Sequence, residues 1–161
     1  MPDSKISYSI PTTTQDVEQV YQFIQQQLDI TDTHPRQLDY YLSVYETQSS
    51  LLVYALHENQ VVGAVFGSQN MFKPEAKHDL LIGEVCVHRD FHHRGIGTQL
   101  LKLIEENAKA EHYNHIILGA KPGVEPFYFQ CGYEANLFLQ VNHSDCLDQL
   151  RALNPGYPIL Q

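Results

Sequence analysis

Gly83-Glu84-Val85-Cys86-Val87-His88 leads through Arg89-Asp90-Phe91-His92-His93-Arg94 into Gly95-Ile96-Gly97-Thr98-Gln99-Leu100-Leu101, and this passage limits the fold most tightly. Alternation of apolar and polar residues gives way to helical spacing across a turn with two glycines, which predicts strand, turn and helix in that order. Gly95 and Gly97 lack a Cβ, so the backbone can bend freely and come close to a ligand. At the start of the helix, the N–H groups of residues 93–98 lack intrahelical acceptors and lie at the positive end of the dipole. Such a turn suits a pyrophosphate.

Two common nucleotide loops do not fit. A dinucleotide fingerprint needs a third glycine, and Leu100 stands there. A P-loop needs Lys and then Ser or Thr after its second glycine, whereas Gly97 is followed by Thr98 and Gln99. What is left is V-x-V, a short loop and R-G-x-G opening an amphipathic helix. That pattern resembles the acyl-CoA pyrophosphate loop of the GNAT superfamily of N-acetyltransferases. Downstream, residues 115–119 read as a buried strand, and Phe127-Tyr128 stands ahead of Gly132-Tyr133 as in the superfamily's second motif. Pro126 fits the first turn of a short helix and Gly132 its left-handed end. The likeness covers residues 50–135 well and the two ends poorly.

The resemblance implies a mixed α+β chain: a central, mostly antiparallel sheet flanked by helices, with a splayed strand pair that binds acyl-CoA. It implies acetyl-CoA as acyl donor, held by Val85, Cys86, Val87, His92, His93, Arg94, Gly95, Ile96, Gly97, Thr98 and Lys121. His92 replaces the usual Arg or Gln, and Lys121 the usual Asn. Neither change removes a backbone donor. Tyr128 is implied as the acid that protonates the departing sulfur; its alternative role is a buried aromatic with an ordinary partner. Free N–H groups on the splayed strand are implied as the oxyanion hole.

Glu84 is the candidate base, because alternation places it on the face opposite Val85 and Val87. Its alternative is an exposed strand carboxylate. Cys86 is a candidate nucleophile against the plainer reading of a small buried side chain. His88, His92 and His93 lack the spacing of a metal set, so no metal is expected. By resemblance, Asp29, Asp32, Tyr40, Tyr41 and Tyr45 border the acceptor cleft, either as an acidic, aromatic-walled site or as a solvated loop and a helix stripe.

Ten basic and nineteen acidic residues give a net charge of −9, which disfavours nucleic acid and anionic membrane and favours a cationic partner. With 161 residues, 43% of them hydrophobic, the chain is expected to form one domain, 1–161, without repeats or linkers. No signal-peptide pattern or long apolar run occurs, so a cytoplasmic location is expected. Three widely spaced cysteines, Cys86, Cys131 and Cys146, suggest reduced thiols.

The first strand is expected at residues 5–10, followed by a capping box from Thr12 to Gln15 and a helix burying Val17, Val20, Tyr21, Ile24 and Leu28. A second helix starts near Pro35. Residues 51–57 and 60–68 form a hairpin about Glu58-Asn59, and 71–78 a loop. Residues 80–87 are the strand before the turn, and the next helix buries Ile96, Leu100, Leu101, Ile104 and Ala108. Residues 133–141, 145–153 and 157–160 read as strand, helix and edge strand.

The expected activity is acetyl transfer to a primary amine of a small, cationic acceptor, with a homodimer allowed. The rivals are transfer of another acyl group, a hydroxyl, protein or peptide acceptor, and a non-catalytic acetyl-CoA sensor.

Overall fold

In the computed structural model, which describes residues 5–28, 35–69, 79–121 and 123–134, strands and helices follow one another in the expected order. The expected loop at 71–78 and the elements after residue 134 lie outside the described residues, as do Asp29, Asp32 and Cys146. The chain divides into two compact units, Met1–Ile117 and Leu118–Gln161.

The first unit begins with β1 (Ser7–Ser9), shorter than the alternation suggests, and α1 (Thr14–Gln27). The capping box lies one residue later than expected. Thr13 is the N-cap and accepts from the Asp16 N–H at 3.1 Å, while Asp16 Oδ2 accepts from the N–H groups of Thr12 and Thr13 at 2.9 and 3.0 Å. A carboxylate that reaches both threonine amides satisfies more orphan donors than a Gln15 amide would, which selects this register. Helix α2 (Pro35–Gln48) starts at its proline and runs into a 3-10 turn, Ser49–Leu51. Strands β2 (Leu52–His57) and β3 (Gln60–Gln69) form the expected hairpin, with Glu58 and Asn59 both at positive φ, 50° and 64°. Two such residues make the tight turn whose twist matches the strands.

Strand β4 (Asp79–Val87) pairs antiparallel with β3, and α3 (Ile96–Ala110) carries the chain to β5 (His115–Leu118). The sheet order is β1-β2-β3-β4-β5. The helical crossover from β4 to its neighbour β5 is the connection that parallel neighbours require. Helices pack on the two sheet faces. On one, Val17, Val20, Tyr21 and Ile24 of α1 and Tyr41 of α2 meet Leu52, Tyr54, Ala64 and Phe66. On the other, α3 buries Ile96, Leu100, Leu101, Ile104 and Ala108, the stripe read from its spacing. A Cβ on Gly63 would lie 3.0 Å from Leu100 and 3.1 Å from Ile96, so this glycine lets α3 sit close to β3.

In the second unit, α4 (Glu125–Gln130) contains Pro126 in its first turn. Gly132, at φ 93°, ends it: the Gly132 N–H donates to Phe129 O and the Tyr133 N–H to Tyr128 O, each at 3.0 Å. This pair of bonds is a Schellman cap, as the Gly-aromatic step suggests.

Candidate active site

A bulge in β4 decides which way its side chains face. Phe66 pairs with Glu84, but the next residue, Gly67, pairs with Ile82, so Gly83 is extra. Leu80 and Ile82 share the α3 face with Val85 and Val87, while Glu84 and Cys86 face α1 and α2. Unbroken alternation from Leu80 would put Glu84 into the α3 core. The one-residue insertion reverses the phase and aims the carboxylate at the aromatic layer under α2.

There Glu84 is half-buried, not an exposed strand carboxylate. The Tyr41 hydroxyl donates to its Oε2 at 3.0 Å. Burial pushes the Glu84 pKa up, and the Tyr41 bond draws it the other way. Tyr41 stacks on Phe66, with centroids 3.8 Å apart and planes within 7°, and meets Tyr21 edge-on at 5.2 Å. Burial, and then the neighbouring carboxylate, drive the Tyr41 pKa upward. Tyr40, one residue before, is 39% exposed, and its hydroxyl donates to Ser68 at 2.6 Å while its ring meets Phe66 edge-on. Of the expected Tyr40, Tyr41 and Tyr45, Tyr40 offers substantial open surface, Tyr41 is buried, and Tyr45 packs partly buried against the core. Phe66 and Ser68 adjoin these tyrosines and escaped the sequence reading, while Tyr21 is read from the sequence only as part of the first helix's buried stripe. They are joined by strand register and helix packing, which local spacing does not display.

Beyond β4 the loop is tightly organised. A 3-10 turn, Arg89–Phe91, is capped by His88, whose Nδ1 accepts from the Asp90 N–H at 3.2 Å. His92 Nε2–H donates to Val87 O at 2.8 Å, tying the loop back to the strand end. Arg94 lies over the Phe91 ring at 4.9 Å. His93 and Gly95 are both left-handed, at φ 62° and 78°, and Gly95 is the N-cap of α3. Gly97 is helical, so Gly95 alone of the two glycines needs its special conformation. The first N–H of α3 to find an acceptor within the helix is that of Gln99, on Gly95 O at 3.0 Å. Ile96 and Gly97 precede it, and a Cβ built on Gly95 would meet nothing within 4 Å. Helix-start donors beside open space fit a pyrophosphate.

In the second unit Tyr128 is 9% exposed, with Phe127 and Tyr133 edge-on at 5.1 and 6.0 Å. Lys121 is exposed, and its carbonyl accepts from the Val124 N–H at 3.1 Å. Among the described residues, Cys86 and Cys131 form no disulfide, no group of three His, Cys, Asp or Glu side chains forms a metal set, and no helix is long and apolar enough to cross a membrane. A cavity of ≈ 520 Å³ lies elsewhere, between the end of α3 and β5, lined by residues that include Lys109, His112 and Tyr113.

Residues 17–133 match the model of the acetyltransferase (GNAT) family. No curated protein matches the sequence significantly. Among solved structures, glucosamine-6-phosphate N-acetyltransferase from Arabidopsis thaliana is 14% identical with a TM-score of 0.62, covering 82% of this chain and 93% of its own. Ard1 from Thermoplasma volcanium is 19% identical with a TM-score of 0.63, covering 88% and 90%. Diaminobutyrate acetyltransferase EctA from Paenibacillus lautus, in complex with L-2,4-diaminobutyric acid and coenzyme A, is 17% identical with a TM-score of 0.61, covering 78% and 71%.

Proposed function

This chain belongs to the acetyltransferase (GNAT) family, and from that membership we propose that it moves an acetyl group from acetyl-CoA to a primary amine of a small acceptor by direct attack. The family uses acetyl-CoA, which supplies an activated thioester carbonyl. The observation that carries the reading is the half-buried Glu84, turned by the Gly83 bulge onto an aromatic layer and held by Tyr41. A carboxylate with a raised pKa is a stronger base than an exposed one and suits proton removal from an ammonium.

Each residue then has one task. Glu84 accepts the ammonium proton, directly or through water, and leaves a neutral amine to attack the thioester carbon. The N–H groups of Val85 and Val87, on the β4 edge opposite the one from which the His88 N–H bonds Val62 on β3, are assigned the charge on the carbonyl oxygen. Tyr128 is assigned the final proton transfer to the departing thiolate, on the strength of its place in Phe-Tyr-x-x-x-Gly. The loop from His92 to Thr98, with Lys121, holds the pyrophosphate and its arm. Cys86 is given no chemical role.

The acceptor proposed is cationic. Tyr40, 39% exposed, supplies aromatic surface that attracts an ammonium, and the excess of acidic residues favours its approach. Structural neighbours that act on an amino sugar phosphate or a diamino acid illustrate the breadth of such acceptors. A thiol-release screen with acetyl-CoA over polyamines, aminoglycosides, amino acids and peptides tests the reading, with product mass identifying the acetylated amine. Turnover with at least one amine is expected. Tight acetyl-CoA binding without thiol release from any acceptor would favour the sensor instead.

A further inference from the structure

We propose that Tyr41 is a positioning residue whose hydroxyl, aimed by the stack of its ring on Phe66, holds the Glu84 carboxylate ionised and in one orientation. The inference rests on the reading of Glu84 as base and departs from the expectation that Tyr41 lines the acceptor cleft. Its exposure decides between the two: Tyr41 is 3% exposed, whereas Tyr40 is 39% exposed. A ring covered by Phe66 on its face and by Tyr21 at its edge has little surface left for a substrate. Its hydroxyl is committed to Glu84 Oε2 at 3.0 Å.

This geometry gives the base two properties. First, the phenol keeps its proton, since burial and the adjacent carboxylate both oppose its ionisation, so Tyr41 acts only as a donor. A fixed donor favours the charged carboxylate and offsets part of the rise that burial causes. Second, the bond takes one oxygen. Among the described residues Oε1 has no hydrogen-bond partner, so one lone-pair set remains for the acceptor's proton. Among the described residues, the other ionisable groups that face the pair are Tyr21 from α1 and Cys86 from β4, and neither supplies a positive charge. Among the described residues no cation is paired with Glu84, so the Tyr41 hydroxyl is its stabilising partner.

The test uses the intact protein labelled with ¹³C at glutamate carboxyls, with the Glu84 signal assigned by its loss in Glu84→Gln. Tyr41→Phe keeps the ring and its stack while deleting the donor. The Glu84 titration is expected to move to higher pH by about one to two units, the worth of a hydrogen bond to a charged group. The acidic limb of the kcat/KM profile should move with it, the acetyl-CoA KM staying unchanged. Tyr40→Phe, with its hydroxyl on Ser68, should leave the Glu84 titration where it is. An unmoved titration in Tyr41→Phe would overturn the inference, and so would a raised acceptor KM with no titration change. A moved titration with an unmoved kinetic limb would sustain the hydrogen bond and overturn the assignment of Glu84 as base.

Discussion

Glu84 is held in a form that folding does not favour. Because burial raises its pKa in the folded chain, the folded state binds the Glu84 proton more tightly than the unfolded state does. Its contribution to stability is therefore best below the ordinary glutamate range and declines as pH rises through that range toward the folded value. Glu84→Gln keeps an oxygen for Tyr41 and carries no charge. It should melt above the wild type near neutral pH, with the advantage fading below about pH 4, which calorimetry across pH would read. Such a gain in stability with a loss of activity is the usual mark of a reactive group placed for chemistry. Tyr128 makes a different prediction at this scale. Tyr128→Phe preserves its edge-on packing with Phe127 and Tyr133 and removes the acid, so kcat should fall by about 10²-fold with little change in acetyl-CoA KM. A full-rate variant in steady-state kinetics would hand the proton transfer to water or another group.

Among the elements, the start of α3 and the start of α1 carry separable predictions. Gly95→Val forces a branched side chain into φ 78°, which should cost about 1–2 kcal/mol in a denaturant titration even though the Cβ meets no neighbour. Its effect on CoA binding, read by calorimetry, should be larger than that strain alone, since the side chain would occupy the open space beside the helix-start donors. Asp16→Ala should cost about 0.5–1 kcal/mol at neutral pH, an exposed cap being worth less than a buried one. Hydrogen bonds headed by that from Thr12 hold the Asp16 pKa low, so this stability is present above the ordinary aspartate value and is lost as pH falls through the depressed one. The difference between variant and wild type should close in acid. These elements were legible because their signals are local: the α3 stripe repeats with the helical turn, and Glu58-Asn59 sits between two apolar runs. The cap was misplaced by one residue because Thr12 and Thr13 are both able caps, and the choice depends on where the Asp16 side chain reaches. The direction of Glu84 relative to Val85 and Val87 was also local. Its partnership with Tyr41 over Phe66 was not, because the Gly83 bulge and the pairing of β3 with β4 join residues far apart in sequence.

For the whole molecule, the balance of charge makes a statement about acceptors. A net charge of −9 should raise kcat/KM for polyamines and aminoglycosides over neutral amines of similar size, and added salt should erode the preference, since exposed charges are screened beyond about 10 Å at 0.1 M ionic strength. Preference for neutral or anionic amines without a salt effect would remove the cationic-acceptor proposal and leave family membership untouched. The proposed acetyl transfer depends on one carboxylate in this chain, Glu84. The pH dependence of acetyl-CoA-dependent amine acetylation in wild type and Glu84→Gln reads that dependence. Glu84→Gln should be most depressed near neutral pH, by about 10²-fold or more, and should recover in alkaline solution where the acceptor is already deprotonated. A Glu84→Gln profile that overlies the wild type at every pH would contradict that dependence.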